Sequence, residues 1–325
     1  MSKCDVVADM VTLDSLPLEL LIFIFEKLTL RELWPVTTVC KQFKDICRDL
    51  VVVDVLGGGA PITNKQLQTI GGRFHNINRL HIKDMKEANV NLDTLIRFIL
   101  VNRNLHAIDV TQCHAVSNKA NLMRLFECMH EQYTFGERCT LRGIGVTGGD
   151  YVFELVNKYW PNIESLRICF WTNKHLSMGA PDLAALHTLT LENFRMLVLP
   201  ESIGNLVNLT HCDILNCELL RVLPWSIGKL AALTHLHIIE CMALLSLPDS
   251  IGNLIGLTHL LLDNCGSITS LPESIGKLAA LTHLDLTNCE LLTSLPESIG
   301  NLGNLTHLDL SGCGAQSRLA TLNLL

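Results

Sequence analysis

Residues 271–294 read LPESIGKLAALTHLDLTNCELLTS, and the same 24-residue pattern runs before and after them. Its Leu-Pro step recurs at Leu199-Pro200, Leu223-Pro224, Leu247-Pro248 and Leu295-Pro296. Ile203, Ile227, Ile251 and Ile299 keep the same stride, as do Gly204, Gly228, Gly252 and Gly300. A fixed period of this length marks a stacked architecture in which one unit cannot bury its apolar face alone. Within a unit, LTHLDL alternates with period two. Leu284 and Leu286 therefore face one side of a strand, and His283 and Asp285 the other. Pro272 lacks an N–H and Gly276 tolerates dihedrals that other residues avoid, which suits a turn and a short 3₁₀ segment on the convex side. Ile275, Leu278 and Leu281 then return to the interior, which closes when units stack at ~4.8 Å per strand.

The core Leu281-x-x-Leu284-x-Leu286-x-x-Cys289 resembles the leucine-rich repeat. A less regular version is read upstream at Ile77-Leu80-Ile82, Leu105-Ile108-Val110, Leu141-Ile144-Val146, Ile163-Leu166-Ile168 and Leu186-Leu189-Leu191. Between these cores, Leu92 to Val101, Leu122 to Tyr133 and Tyr151 to Trp160 carry apolar residues at helical spacing. The expectation is an α/β solenoid of about ten parallel strands, its concave face spanning roughly 45 Å at the inter-strand spacing. Its convex side should be helical early, then 3₁₀ or extended. Irregular repeats would occupy 76–194 and regular ones 195–318 of a domain covering 76–325. The apolar end, RLATLNLL, offers no obvious polar cap.

A different sequence precedes the repeats. Leu16-Pro17-x-Glu19-Leu20-Leu21-x-x-Ile24-Phe25-Glu26-x-Leu28 leads to Leu30-Arg31-Glu32-Leu33 and then to Val39-Cys40-Lys41-x-Phe43. Ser15 is a good N-cap, Glu19 suits the first turn, and Pro17 is tolerated near a helix start. Leu20, Ile24, Phe25 and Leu28 make an apolar stripe wider than a unit of this size can bury, which marks a partner surface. In order and spacing the segment resembles the F-box, with Phe43 where that family often has Trp. The resemblance implies a three-helix F-box over 13–50, after a disordered 1–12 and before a junction or first half-repeat at 51–75. There Val51 to Val55 read as strand-like and Lys65 to Ile70 as helix-like, around a Gly-rich turn.

By the same resemblance the partner is the Skp-type adaptor of a cullin-RING ubiquitin ligase. Its contacts would come from Leu16, Pro17, Glu19, Leu20, Ile24, Phe25, Leu28, Leu33, Val39, Cys40 and Phe43. The repeats would then hold a target protein, and the chain would act as a non-catalytic substrate receptor that binds cullin through the adaptor. The LPxSIGxLxxLTHLDL unit also resembles plant-type and immune-receptor repeats. That leaves a signalling scaffold or sensor without ligase engagement as the alternative.

Composition bounds these readings. The chain has 325 residues, is 48% hydrophobic and 18% charged, and carries a net charge of −7, without the basic stripe a nucleic-acid binder needs. The first residues, MSKCDVVADMVTLD, lack the apolar core of a secretory signal, and Leu20 to Phe25 is too short to span a bilayer. A cytoplasmic or nuclear setting is expected, with the 13 cysteines as thiols and no C-x-x-C metal pattern. The Asn208 and Asn304 sequons read as by-products of repetition.

The concave face is the default binding surface of a solenoid. Its outward columns give the candidate target-binding residues His211, Asp213, His235, His237, His259, His283, Asp285, His307 and Asp309. Leu215, Ile239, Asp263, Thr287 and Ser311 run beside them. The imidazole row reads as a repeated polar strand residue; a metal site would need converging ligands, and a pH switch would show coupled titration. Cys217, Cys241, Cys265, Cys289 and Cys313 read as buried structural thiols. Trp160, Phe170 and Trp171 are the expected aromatic anchors. Gly143-x-Gly145-x-x-Gly148 imitates a dinucleotide-binding motif, but its glycines lie inside a strand rather than after one. No cofactor, metal or catalytic residue is assigned.

Overall fold

A computed structural model of the chain describes residues 64–71, 79–81, 91–102, 105–111, 113–134, 141–148, 151–169 and 183–314. Ten parallel strands form one sheet, and their order in space is their order in sequence. The strands are β1 (Arg79–His81), β2 (Ala107–Asp109), β3 (Gly143–Thr147), β4 (Ser165–Cys169), β5 (Thr188–Glu192), β6 (His211–Leu215), β7 (His235–Ile239), β8 (His259–Asp263), β9 (His283–Asp285) and β10 (His307–Asp309). The central residue of each of the five irregular cores, Leu80, Ile108, Ile144, Leu166 and Leu189, lies on a strand, while Ile77 and Ile82 lie outside the described residues. The leucine-rich-repeat solenoid is therefore the fold of the described residues.

The register places like on like. His211 pairs with His235, His235 with His259, His259 with His283, and His283 with His307. The neighbouring inward column, Leu189, Cys212, Leu236, Leu260 and Leu284, is at most 1% exposed.

Three crossovers carry helices. α1 (Asn64–Gly71) lies in the expected junction. α2 (Leu92–Val101) begins where Asn91 Oδ1 accepts the Thr94 N–H at 2.8 Å, and it buries Leu92, Leu95, Ile96, Phe98 and Ile99. α3 (Lys119–Thr134) starts three residues ahead of its apolar periodicity because Asn118 caps it, accepting the Asn121 N–H at 2.9 Å. α4 (Tyr151–Tyr159) stops just before the Trp160-Pro161 step, where a residue preceding proline disfavours helix.

The regular repeats instead return through 3₁₀ segments: Glu201–Asn205, Trp225–Lys229, Asp249–Asn253, Glu273–Lys277 and Glu297–Asn301. Pro200, Pro224, Pro248, Pro272 and Pro296 cap them at extended dihedrals.

Gly276 is needed for a reason other than its dihedral freedom, since Gly312 is the glycine that shows a positive φ among those described. A Cβ on Gly276 would lie 2.4 Å from the Ser298 carbonyl oxygen of the next repeat; on Gly228 it would lie 2.3 Å from that of Ser250. The convex segments approach too closely for any side chain. Among the described residues nothing lies within 4 Å of the same position on Gly300.

The F-box, residues 1–12, Val51 to Val55, Phe170, Trp171 and 315–325 lie outside the described residues.

Two substitutions at equivalent sites should separate steric fit from intrinsic preference. Gly228→Ala should destabilise the chain by about 1–3 kcal/mol through overpacking, and Gly300→Ala should be close to neutral, as read from urea-unfolding midpoints. Leu284→Ala, at a position fully buried in the stack, should cost about 2–5 kcal/mol in the same assay.

Candidate functional site

The outward side of the sheet is built from three columns per strand, and each has its own chemistry. The first is the histidine column. The rings of His211 and His235, and of His235 and His259, stack with centroids 4.3 Å apart and planes 10° from parallel. His259 and His283 repeat this at 4.3 Å, and His307 tilts away at 5.5 Å.

Four of these rings, all but His307, are fixed by the threonine before them. The Thr210, Thr234, Thr258 and Thr282 hydroxyls donate to the carbonyls of His187, Thr210, Thr234 and Thr258 at 3.0 Å. Their oxygens face the Nδ1 atoms of His211, His235, His259 and His283 at 2.9 Å. Because each hydroxyl proton is already spent on a carbonyl, the neutral ring must carry its own proton on Nδ1. Nε2 is left as an acceptor.

Proton uptake by His235 and His259 is disfavoured. Burial is the largest cause of the lowered pKa of His235, followed by the imidazoles of His211, His259 and His237, with Asp213 opposing them. His259 is lowered by burial and then by His283, His237 and His211.

The second column holds the charged contacts. Asp213 accepts from Thr190 Oγ1 at 3.2 Å and lies 3.0 Å from His237 Nδ1. On the earlier strands, the Arg167 guanidinium donates to Glu192 and reaches Asp109 at 3.6 Å, two strands away. Gly145 of β3 lies beneath that bridge, where a Cβ would meet Asp109 Cγ at 2.6 Å. Gly148 packs against α4, since a Cβ there would sit 2.3 Å from Val152. Two of the glycines that imitate a nucleotide motif thus clear an ion-pair bridge and a strand-to-helix contact. Beside the bridge, Cys169 donates to Glu192 at 3.1 Å, and burial pushes its thiol up to about 12.

Asp285 accepts the Thr287 N–H at 2.8 Å, and Asp309 the Ser311 N–H at 2.8 Å. Hydrogen bonds from Ser311 hold the Asp309 carboxyl below its usual range. All nine candidate target-binding residues thus lie in the first two outward columns.

The third column and its neighbour supply apolar surface. Leu215 and Ile239 are paired across β6 and β7, and Leu261 follows His237 on β8. All three are half-buried.

The cysteine column faces the other way. Cys217, Cys241, Cys265, Cys289 and Cys313 are buried, and each thiol donates to a backbone carbonyl of the repeat before it over 2.9 to 3.9 Å. Burial pushes the Cys289 thiol up to about 12. The sequon asparagines have comparable structural work, as Asn208 and Asn304 donate from Nδ2 to the carbonyls of Ala184 and Ala279 at 2.8 and 2.7 Å. Among the described residues no group of three or more His, Cys, Asp or Glu could hold a metal ion, and no helix is long and apolar enough to cross a membrane.

Sequence reasoning misplaced one anchor and missed another. Trp160 is 3% exposed and belongs to the core, because the end of α4 folds it beneath the sheet beside His130. Trp225 is 60% exposed on the convex side, at a position held by Glu or Asp in the other regular repeats. That break in an acidic column was the available signal. A further column went unread. Asn193, Asn216, Glu240, Asn264 and Asn288 all have φ between 54° and 57° as the chain leaves the sheet, a conformation that asparagine tolerates better than most residues.

Comparison with known proteins agrees with this geometry. Residues 13–52 match the F-box-like family model and residues 255–314 the leucine-rich-repeat model, so the chain combines an F-box-like domain with leucine-rich repeats. No curated protein matches in sequence. Similar solved structures include a Leptospira interrogans leucine-rich-repeat protein, at 24% identity and a TM-score of 0.43, covering 69% of this chain and 58% of that one. The leucine-rich-repeat domain of the type III effector XopL aligns at 22% identity and a TM-score of 0.42, covering 74% of this chain and 70% of that one. An Arabidopsis receptor kinase, HAESA, solved with a peptide hormone and a co-receptor, aligns at 20% identity and a TM-score of 0.46, over 66% of this chain and 36% of that one. The chain spans less than two thirds of the Leptospira protein.

The histidine column carries a consequence for stability. Folding lowers the pKa of His235 and His259, so the unfolded chain binds more protons. The contribution of these two residues is complete above the ordinary imidazole pKa of about 6.5 and is lost as pH falls through and below it. Thermal scans at pH 7.5 and 5.5 should show a smaller acid-induced fall in Tm for the His235→Gln/His259→Gln variant than for the unaltered chain. Equal falls would exclude these imidazoles as the source.

Proposed function

We propose that the chain is a substrate receptor of a Skp–cullin–F-box ubiquitin ligase. Its F-box would bind the Skp-type adaptor, and through it cullin, and its repeats would hold a target protein on the concave face. The observation that carries this reading is the presence of an F-box-like domain at residues 13–52 in the same chain as a ten-stranded leucine-rich-repeat sheet.

A receptor of this kind makes and breaks no bond. It fixes a target near a ubiquitin-charged conjugating enzyme and so raises the effective concentration of the target's lysines. A rigid solenoid suits that role, since every strand is tied to its neighbours and target geometry is set by the stack. The cytosol or nucleus is where such a complex would operate.

The test is co-purification with a Skp-type adaptor. The unaltered chain should retain the adaptor, and Leu16→Ala/Pro17→Ala should lose at least tenfold in affinity while keeping its melting curve. If the unaltered chain does not bind, the reading fails, and the repeat surface acts as a scaffold or sensor without a ligase.

A further inference from the structure

The outward positions of β5 to β10 are unequal in charge. They hold five carboxylates, Glu192, Asp213, Asp263, Asp285 and Asp309, and no lysine or arginine. Glu192 is answered by Arg167 of β4. The described basic residues of the regular repeats lie elsewhere: Lys229 and Lys277 end 3₁₀ segments on the convex side, and Arg195 and Arg221 lie in connections after β5 and β6. The outward face of β5 to β10 is therefore anionic, whereas the convex side carries both signs, with Glu201, Asp249, Glu273 and Glu297 near Lys229 and Lys277.

Within that face lies an apolar island. Leu261 occupies the column in which the other regular repeats carry Asp213, His237, Asp285 and Asp309. Leu215 and Ile239 stand where the next strand has Asp263. These side chains are not part of the core, which lies on the opposite side of the strands. Three half-buried apolar residues on three consecutive strands, bordered by Asp213, Asp263 and Asp285, form a surface with a preferred complement.

We propose that this face takes an extended, basic segment of the target, with cationic side chains at i and i+4 and an apolar side chain at i+2. The proposal rests on the reading of the repeats as the target-binding surface and names the class of target.

The spacing follows from the register. Asp213 and Asp285 share one column three strands apart, about 14 Å at the usual inter-strand distance. An extended chain laid along that column advances about 3.3 Å per residue and turns every second side chain toward the sheet. Residues i and i+4 then lie about 13 Å apart, over Asp213 and Asp285. Residue i+2 falls between His237 and Leu261, beside Ile239. Asp263, in the neighbouring column, adds negative potential without taking a place in the series. Along one border His211, His235, His259 and His283, each with Nδ1 turned to a threonine oxygen, offer Nε2 as an acceptor. His237 Nδ1 lies 3.0 Å from Asp213 and shares that carboxylate with the incoming side chain.

The experiment uses the full-length chain and a library of labelled twelve-residue peptides, read by fluorescence anisotropy at pH 7.5. Positions i and i+4 carry Arg, Ser or Glu, and position i+2 carries Leu or Ser. Peptides with Arg, Leu and Arg should bind at least tenfold more tightly than those with Glu, Leu and Glu, and more weakly as salt rises. Moving the second Arg to i+3 should reduce binding. Asp213→Asn/Asp285→Asn keeps the local hydrogen-bond acceptors and should erase the charge preference, whereas Leu261→Ser should erase the preference for Leu at i+2. Equal binding of acidic and basic peptides, a preference unchanged by the Asp variants, or no binding by any peptide would overturn the proposal. Adaptor co-purification from the same preparations separates the two readings. Charge selectivity without adaptor binding removes the ligase and keeps this surface; adaptor binding without selectivity removes this surface alone.

Discussion

A strand such as β8 has no hydrogen-bonding partner within its own repeat, so it is completed only by β7 on one side and β9 on the other. Parallel pairing obliges the chain to leave the sheet, cross the convex side and return one strand further on. If the strands are to stay in register, the crossovers must stack at nearly the same rise. The glycine column answers that demand, since a Cβ on Gly252 would lie 2.5 Å from the Ser274 carbonyl oxygen. Serine is small enough to sit under the preceding glycine, although the hydroxyls of Ser226, Ser250 and Ser274 are buried without a partner. Their desolvation is a cost accepted for close stacking.

Side-chain ladders add to the backbone ladder and depend on it. Each threonine hydroxyl, each core cysteine and the Asn208 and Asn304 amides reach back to a carbonyl of the repeat before. A rung forms only where the preceding unit presents the same carbonyl in the same place, so near-identity of units has a direct physical return. Stability of such a stack is a sum of unit and neighbour terms. The same logic produces the histidine column. Once Thr234 is tied to Thr210, its oxygen faces His235 Nδ1, and the ring is oriented whether or not a ligand needs it.

Much of the fold was legible because its signals are periodic. The LxxLxL cores located all ten strands, and apolar spacing alone delimited α2 at Leu92–Val101. Features that depend on contacts between units were not legible. Gly276 looked like a residue chosen for its dihedrals, but the need for it arises from Ser298 of the following repeat. Trp160 looked like an available anchor, yet α4 ends so as to bury it. The outward columns of the candidate site could be read from strand alternation. The imidazole tautomer could not, because it follows from a hydroxyl whose proton goes to another repeat. Nor could the Arg167 bridge over Gly145 be read, since it joins β2, β4 and β5 only after the sheet is assembled.

Inward and outward positions are therefore under different physical control. Between Cys212, Leu236, Leu260 and Leu284 the choice is confined to residues that fill one continuous core at essentially zero exposure. Between Asp213, His237, Leu261 and Asp285, at adjacent positions of the same strands, the residue type changes in charge and polarity without disturbing the register. A substitution in the second set leaves the backbone ladder, the core and the crossovers as they were. The chemistry of the face can thus vary independently of the scaffold that presents it, and independently of residues 13–52, which lie before the solenoid in the chain. Under the proposed function, coupling to the ligase and choice of target are carried by separate residues. The outward departures from the repeat, Leu215, Ile239 and Leu261, are then where the identity of the target is written, because they stand outside the core that the stack requires.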